Sequence, residues 1–265
     1  MPRNLVFLGG GRITRALLSG LRQANFRGSI VVHDRNPEKL TQLERDFRVA
    51  TEADLNEAVK RAAILIVAVR PQDLSSLVAS LPAITRPLPA LSLAAGVPLT
   101  RLRKLLGPPV RWARAMPSPA ARNCHGLTGL AFSAKYPRDA RCAIERLFSS
   151  AGKIIHIPDR EMDAFTVAYS SSHGQYALQT LAAAAQKLGL PRRIALIAAA
   201  HALGESVLAA SESGSRTPEL LREAATPGGI AAECMAALDA GGYPKIVEGA
   251  LRAGVRRARQ LARAR

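Results

Sequence analysis

The sequence predicts an α/β fold, with a doubly wound N-terminal domain followed by an all-helical domain. Over residues 1–158, short apolar runs alternate with helix-like stretches, a pattern typical of a parallel sheet covered by helices. From Asp159 onward the strand signal almost disappears, and alanine-rich stretches with helical periodicity dominate. A glycine-rich turn separates the first apolar run from the first helical pattern. We therefore expect two domains, covering residues 1–158 and 159–265.

The composition indicates a globular chain. Its 265 residues are 48% hydrophobic and 22% charged, enough to bury a sizeable core. No apolar run approaches the roughly 18–20 residues of a membrane span, and the first apolar run is too short for a signal peptide. We therefore expect a cytoplasmic protein without a membrane partner. The cysteines Cys124, Cys142 and Cys234 are scattered, which predicts reduced thiols and no metal site.

The chain is strongly basic. Lys and Arg number 37 against 20 Asp and Glu, a formal net charge of +17. Such a surface attracts anions, including nucleic acids. However, the basic residues are spread along the chain and are dense only over 252–265, where they follow a helical pattern. Aromatic residues for base stacking are few. We interpret the tail as a solvated helix face and do not expect nucleic acid as a partner.

The first element is a strand, Leu5–Leu8, which stops at a glycine triplet before a helical pattern begins. Gly9 and Gly11 supply the first two glycines of G-x-G-x-x-G, and the third position is Thr14. Backbone amides in such a turn, together with the positive end of the helix dipole, bind a pyrophosphate. This predicts a dinucleotide-binding Rossmann domain; the alternative is a glycine-rich turn without a ligand. The candidate cofactor-binding residues here are Gly9, Gly11, Arg12 and Ile13.

A second strand over 29–33 is followed by Asp34 and Arg35. An acidic residue roughly 20 residues after the glycine turn accepts hydrogen bonds from a ribose diol, which favours NAD. An arginine at the next position binds the 2'-phosphate of NADP, so the pair is ambiguous. Asp34 is alternatively a cap of the helix that begins near Pro37. We expect NADP as the cofactor, with NAD as the alternative.

The remaining elements of the first domain follow in order. The run over 62–69 is apolar throughout, as in a buried parallel strand, and the following proline ends it. Its end lies at the carboxyl edge of the sheet, where ligands bind. Candidate residues are therefore Val69, Arg70 and Pro71. We predict helices over 37–46, 52–61, 99–106 and 137–150, and strands over 48–50, 62–69, 88–95, 110–116, 127–133 and 153–157.

The second domain is predicted to be helical throughout. The segment 194–203 is apolar almost all round, and such a helix must be buried on every side. We infer that it forms the interface of a homodimer or larger homo-oligomer. The predicted helices cover 164–188, 191–211, 218–225, 229–240 and 244–263, with breaks at 189–191, Gly214, 227–229 and 241–242.

Taken together, these motifs resemble those of the pyrroline-5-carboxylate reductase family over nearly the whole chain. Single motifs are weak, but their order and spacing match. The matching segments are 7–13 (FLGGGRI), 69–72 (VRPQ), 92–98 (SLAAGVP), 114–117 (RAMP), 162–166 (MDAFT), 189–191 (GLP) and 226–229 (TPGG). The resemblance adds Ala94 to the cofactor-binding candidates and places Met116 and Pro117 beside the nicotinamide.

The resemblance implies a Rossmann domain followed by a helical dimerisation domain. It also implies an NAD(P)-dependent oxidoreductase that acts on a C=N bond and serves proline biosynthesis. Hydride would pass from the nicotinamide to the imine carbon of pyrroline-5-carboxylate, giving proline. The active site would be shared between the cofactor domain and the helices of a partner.

The departures from the family pattern concern the substrate side. The family's serine-glycine-serine-glycine-proline-alanine-tyrosine becomes SSSHGQY over 170–176, which introduces His173 and Gln175. A family threonine is replaced in the region of Ile230 and Ala231, and the segment 116–119 is one residue short. Two alternatives therefore stay open: a reductase of another imine or keto acid, and a non-catalytic NADP-binding paralogue.

His173 and Tyr176 are the candidate catalytic residues. An imidazole at the start of the helix, where titration near neutral pH is common for this side chain, suits a proton donor to the imine nitrogen. The alternative for His173 is a hydrogen bond to the backbone at the helix start. His125 and His201 are interpreted as structural residues.

The candidate substrate-binding residues lie at two predicted helix starts. Ser171 and Ser172, with Tyr176, suit binding of a carboxylate by hydroxyls and helix amides, although serine also commonly caps helices. The turn that contains Thr226, Gly228 and Gly229 offers further amides; the alternative is an ordinary turn before a helix.

Overall fold

The computed structural model describes residues 4–204, 207–208 and 217–263, and these form two compact units. The first unit comprises the residues up to Val167 together with those from Gly254 onward. The second unit is Ala168–Ala253. The predicted break at Gly214 and the predicted end of a helix at Ser211 lie outside the described residues.

The first unit alternates strands and helices, as predicted. Three short 3₁₀ turns, Pro71–Asp73, Pro119–Asn123 and Asp159–Glu161, connect some of them. The elements are β1 (Leu5–Leu8), α1 (Arg12–Gln23), β2 (Ile30–His33), α2 (Pro37–Phe47), β3 (Ala50–Thr51), α3 (Leu55–Arg61), β4 (Ile64–Val67), α4 (Leu74–Ser80), β5 (Leu88–Ser92), α5 (Leu99–Leu105), β6 (Val110–Pro117), β7 (Gly126–Phe132), α6 (Arg138–Ser149), β8 (Gly152–His156) and α7 (Met162–Ala168).

The eight strands form one sheet in the order β3-β2-β1-β4-β5-β6-β7-β8. Strands β1 to β6 are parallel, so the predicted doubly wound domain is confirmed. Strands β1 to β3 are added toward one edge of the sheet and strands β4 to β6 toward the other, so the strand order switches between β1 and β4. Ligands of such sheets bind in the crevice at this switch point. Strand β7 runs antiparallel to β6, which the sequence did not predict. The β6–β7 connection is too short for a crossover helix, so the two strands pair as a hairpin.

Both faces of the sheet are covered by apolar clusters. Successive residues of β1 alternate between them, with Phe7 in one cluster and Leu8 in the other. Side chains of α1, α2 and α6 join Phe7, and side chains of α3, α5 and the end of the last helix join Leu8. Full burial of each large aliphatic side chain contributes about 1.5–3 kcal/mol, so the central strands anchor the unit.

The second unit is helical, as predicted. One prediction is wrong here: the single helix expected over 164–188 is two helices, because the backbone at Ser170 is not helical. Serine side chains compete for local hydrogen bonds, and the hydroxyls of Ser170 and Ser172 bond to each other at 2.7 Å. The remaining helices are α8 (Ser171–Lys187), α9 (Arg192–Leu203), α10 (Thr217–Ala224), α11 (Ile230–Ala240) and α12 (Tyr243–Arg263), the last of which ends in the first unit.

The apolar helix α9 is only partly covered within one chain. Ala195 and Ala199 are buried, whereas Ile194, Leu196 and Ile197 are about half exposed. Further large apolar side chains of this unit are exposed on its other helices. Among the described helices, none is both long and apolar enough to cross a bilayer.

The basic end of α12 packs against the first unit. Ala262 is buried in an apolar cluster, and the Arg259 guanidinium lies 3.5 Å from the Asp163 carboxylate. Gly96 has a φ of +74°, and a Cβ on it would lie 2.2 Å from the carbonyl oxygen of Ala258. The basic side chains Arg256, Arg257, Arg259 and Arg263 are exposed, as a solvated helix face predicts, while the opposite, apolar side of the helix is packed.

Candidate active site

The predicted cofactor-binding residues lie along one edge of the sheet. Strands β1, β2, β4, β5 and β6 are parallel, so their carboxyl ends meet at the same edge. Each of these ends is followed by, or contains, at least one candidate. These are Gly9, Gly11, Arg12 and Ile13 after β1, Asp34 and Arg35 after β2, Val69, Arg70 and Pro71 after β4, Ala94 after β5, and Met116 and Pro117 in β6.

The glycine turn has the geometry of a phosphate cradle. Gly9 has a φ of +114°, and a Cβ there would lie 2.7 Å from the carbonyl oxygen of Ala68, so a side chain is excluded. A Cβ on Gly11 would meet no atom within 4 Å, which leaves open space at the start of α1. Gly11 is the N-cap of α1 and provides no side-chain cap. The first amides of α1 are thus available to an anion, and the turn fits a pyrophosphate.

Thr14, at the third motif position, helps to hold the turn. Its side chain is fully buried, and its hydroxyl donates a 2.6 Å hydrogen bond to the carbonyl oxygen of Gly9. A glycine at this position would lack that hydroxyl. Threonine in place of the motif's third glycine therefore adds a hydrogen bond across the turn.

Asp34 is held in place by hydrogen bonds to the backbone. One carboxylate oxygen accepts a 2.9 Å hydrogen bond from the amide of Gly10, and the other accepts a 3.0 Å bond from the amide of Asn36. The Lys39 ammonium lies 3.5 Å from the carboxylate, whose side chain is 13% exposed. Partial burial raises the pKa of Asp34, but the two backbone bonds and Lys39 outweigh it and hold the pKa below its usual value.

The alternative role of Asp34 as a helix cap is wrong in detail. The N-cap of α2 is Asn36, whose side chain accepts a bond from the amide of Lys39. Asp34 instead connects the glycine turn after β1 to the turn after β2, since it accepts bonds from both.

Three exposed arginines border this edge. Arg12 begins α1, Arg35 follows Asp34, and Arg70 follows β4. None of the three forms an ion pair with a residue that the structure describes. They leave positive charge available beside the glycine turn.

The edge continues through β4, β5 and β6. Val69 lies beside the turn, since a Cβ on Gly9 would be 3.4 Å from its side chain. Ala94 is buried, and its amide donates a 3.2 Å bond to the hydroxyl of Ser92. Met116 is buried near the end of β6, and Pro117 is half-buried. These apolar groups extend from the glycine turn toward β6 along the edge.

Arg114, two residues before Met116, is a residue whose role the sequence reasoning missed. Its side chain is 1% exposed, and it lies 2.7 Å from the carboxylate of Asp159 and 3.4 Å from that of Asp163. Asp159 also accepts a 2.9 Å bond from the amide of Leu99 at the start of α5. The sequence contained a signal for this role, because a buried arginine in a mostly apolar strand requires a partner that balances its charge. This network attaches α5, α7 and the end of α12 to β6.

The candidate catalytic residues lie in the second unit. His173 and Tyr176 are in the first turns of α8, and both are exposed, Tyr176 by 74%. The amide of His173 donates a 3.1 Å bond to the carbonyl of Ser170. The N-cap of this helix, Ser170, supplies no side-chain cap; its hydroxyl hydrogen-bonds to that of Ser172 instead. Ser171 begins α8, but its side chain lies outside the described part of the structure.

The second candidate substrate-binding segment is a turn before α11. The amide of Gly229 donates a 2.9 Å bond to the carbonyl of Thr226, and Gly228 has a φ of +73°. Gly229 is the N-cap of α11 and supplies no side-chain cap. Ile230, in the region where the family has a threonine, is 87% exposed. Both candidate segments therefore present uncapped helix starts, as anion sites require.

The described residues contain no group of three or more His, Cys, Asp or Glu side chains arranged to hold a metal ion. The three cysteines are not joined in disulfides; Cys142 and Cys234 are exposed and Cys124 is half-buried.

Comparisons with known proteins match both parts of the chain. A family model described as "NADP oxidoreductase coenzyme F420-dependent" matches residues 4–96. A second, described as "Pyrroline-5-carboxylate reductase dimerisation", matches residues 159–261.

Individual relatives match over nearly the full length. A pyrroline-5-carboxylate reductase from Synechocystis sp. is 30% identical, with 98% of this chain and 99% of that protein covered. A solved pyrroline-5-carboxylate reductase from Coxiella burnetii superposes with a TM-score of 0.85 at 24% identity, over 99% of this chain and all of the other. A Plasmodium falciparum pyrroline carboxylate reductase with NADP bound has a TM-score of 0.82 at 19% identity, covering 98% of each chain.

Proposed function

The chain belongs to the pyrroline-5-carboxylate reductase family, and from that membership we propose that it reduces pyrroline-5-carboxylate to proline with NAD(P)H. The observation that carries the proposal is the 30% identity to a curated reductase over 98% of the chain. The phosphate cradle at Gly9–Gly11 supports it, because its geometry suits the cofactor that this reduction needs.

We assign the cofactor, NADP with NAD as the alternative, to the carboxyl edge of the sheet. The amides that open α1 at Arg12 and Ile13 would hold the pyrophosphate, and the turn at Val69, Arg70 and Pro71 would border the cofactor. Ala94, Met116 and Pro117 would line the nicotinamide and exclude water. When bound, NADPH supplies the hydride for the imine carbon. The protein's contribution is then to align the two reactants in a dry site.

The substrate side is assigned to the helical unit. Ser171, Ser172, Thr226, Gly228 and Gly229 would bind the carboxylate through hydroxyls and helix-start amides.

His173 would donate a proton to the imine nitrogen, and Tyr176 would hydrogen-bond the substrate beside it. The exposure of His173 and Tyr176 within one chain leaves both side chains accessible to a ligand.

A homo-oligomer is part of the proposal. The dimerisation model covers 159–261, and the helical unit exposes large apolar side chains on α9 and its neighbours. Exposed apolar surface of this kind marks an interface. The chain in solution is expected to be at least a dimer, and light scattering measures its mass.

The direct test is oxidation of NADPH and NADH by the purified protein, side by side, with pyrroline-5-carboxylate as the acceptor. Growth of a proline auxotroph carrying the gene tests the same activity in cells. His173→Ala should lower turnover by roughly 10²–10⁴-fold if the imidazole donates the proton. Ala253→Ser, at an exposed position, serves as the surface control. Undiminished turnover in His173→Ala would remove His173 from the mechanism.

A reductase of a different imine or keto acid is the second candidate. It is favoured by the altered residues His173, Gln175, Ile230 and Ala231, which all lie in the two candidate substrate-binding segments. A panel of cyclic imines and keto acids separates it from the first candidate. Binding of NADPH without turnover of any acceptor would instead indicate a non-catalytic paralogue.

A further inference from the structure

Two strongly basic segments that lie far apart in the sequence meet in the first unit. Residues 74–138 contain nine Lys and Arg and no Asp or Glu, and residues 249–265 contain six Arg and no Asp or Glu. Helix α5 belongs to the first segment, and the last turns of α12 belong to the second. In the sequence alone the charge is dispersed, because the sequence does not show which segments meet.

The last turns of α12 lie against the start of α5. A Cβ on Gly96, three residues before α5, would lie 2.2 Å from the carbonyl oxygen of Ala258. Ala262 is buried in the same apolar cluster as Leu99 and Leu102 of α5. Both helices therefore cover the same face of the sheet, and the sides that do not join this cluster carry their polar residues.

These outer sides carry cations without acidic partners. Six side chains form no ion pair with a residue that the structure describes: Arg101, Arg103, Lys104, Arg256, Arg257 and Arg263. All of them are exposed except Arg101, which is half-buried. The carboxylates of Asp159 and Asp163, which contact α5 and α12, are already paired with Arg114 and Arg259. The surface therefore keeps its positive charge.

The chemistry of this surface suits the phosphates of a nucleic acid duplex better than a lipid bilayer. Five of the six cations are arginines, whose planar guanidinium groups match phosphate oxygens. Among the described residues, no large apolar side chain is exposed on α5 or over 247–263, and the apolar side of α12 is already packed at Ala262. Neither helix can therefore insert an apolar face into a membrane.

A duplex is also favoured over a single strand. Proteins that bind single strands stack the bases on aromatic side chains. Residues 99–105 and 247–263 contain no Phe, Tyr or Trp. The surface offers charge and hydrogen-bond donors for phosphates, and such contacts carry no information about base sequence.

We propose that the face formed by α5 and the last turns of α12 binds duplex nucleic acid through its phosphates, without reading the base sequence. This binding is independent of the proposed reductase activity. Each phosphate that the protein neutralises releases counterions, so the affinity falls steeply as the salt concentration rises.

The test is fluorescence anisotropy of labelled DNA duplexes of about 20 base pairs, titrated with the full chain at salt concentrations between about 50 and 200 mM. Two duplexes of unrelated sequence should bind within about threefold of each other. The face variant combines Lys104→Gln, Arg256→Gln and Arg257→Gln. It should weaken binding at least about tenfold and reduce the slope of log K against log salt by about 2–3.

The control variant combines Arg138→Gln, Arg146→Gln and Lys153→Gln. It removes the same charge from exposed positions of α6 and β8, and α6 packs on the other face of the sheet. Its binding should weaken less than about threefold, because its phosphate contacts are intact. Circular dichroism melts establish that both variants are folded.

Three results would overturn the inference. The first is the absence of duplex binding by the wild type at the lowest salt concentration. The second is equal weakening in the two variants, because net charge and not this face would then account for binding. The third concerns vesicles that contain phosphatidylglycerol: sedimentation with vesicles that is tighter than duplex binding, and is lost in the face variant, would assign the surface to a membrane.

Discussion

Replacement of Arg114 is expected to destabilise the first unit, because this arginine is buried and paired with two carboxylates. Arg114→Met keeps much of the volume of the aliphatic stem but removes the guanidinium charge, which leaves the carboxylates of Asp159 and Asp163 without that partner. Breaking a buried ion pair by removing one partner costs about 3–5 kcal/mol. Here the low end applies, because Asp159 retains the amide of Leu99 and Asp163 retains Arg259. Partial exposure of both carboxylates, 22% and 15%, acts in the same direction.

A loss of about 3 kcal/mol corresponds to a fall in Tm of roughly 6–12 °C for a chain of this size. Thermal unfolding followed by circular dichroism measures it. Arg252→Met is the control, because it breaks an exposed ion pair with Glu248 within α12 and should shift Tm by less than about 2 °C.

A further variant isolates the cause. Combining Arg114→Met with Asp159→Asn and Asp163→Asn removes the stranded charges, so this triple variant should regain part of the lost stability. The reasoning is refuted if Arg114→Met unfolds within about 2 °C of Arg252→Met. A triple variant less stable than Arg114→Met would likewise show that stranded charge is not the source of the loss.

Three further outcomes are expected. Gly9→Ala should abolish detectable NADPH binding, because its φ is +114° and its Cβ would overlap the carbonyl oxygen of Ala68; Gly11→Ala, with open space around it, is the comparison and should preserve the fold. Gly96→Ala should lower Tm by several degrees in a thermal melt, since its Cβ would overlap the carbonyl oxygen of Ala258 in the last helix. The folded pKa of Asp34 is depressed, so its stabilisation is present above the ordinary aspartate range and is lost as the pH falls below about 4; the stability difference between wild type and Asp34→Asn should shrink between pH 7 and pH 3.

The local pattern of apolar and polar residues was sufficient to predict most strands and helices of the first unit. The apolar runs at Leu5–Leu8 and Ile64–Val67 are strands because their side chains suit burial on both faces, and the parallel order follows from the intervening helices. The candidate cofactor residues share one edge for the same reason, since parallel strands end together. The sequence alone therefore predicted that these residues lie along one edge of the sheet.

The ends of helices and strands were less predictable where side chains form local hydrogen bonds or the backbone leaves the helical conformation. The predicted strand over 48–50 is displaced to Ala50–Thr51, because Arg48 adopts a left-handed conformation at the end of α2. The helix expected over 164–188 is interrupted at Ser170, where hydroxyls bond to each other. Helical periodicity alone contains no information about such local alternatives.

The sequence by itself determined the family, the alternation of strands and helices, and the glycine turn that suits a dinucleotide. Only the tertiary structure decided what Asp34 and Arg114 do. From its spacing alone Asp34 suits a ribose ligand or a helix cap; the structure adds a hydrogen bond from the amide of Gly10, 24 residues away, which links two turns. Arg114 acquires its meaning from Asp159, 45 residues later. The role of a charged side chain depends on the partners that folding brings next to it. Residue type and spacing along the chain do not identify those partners.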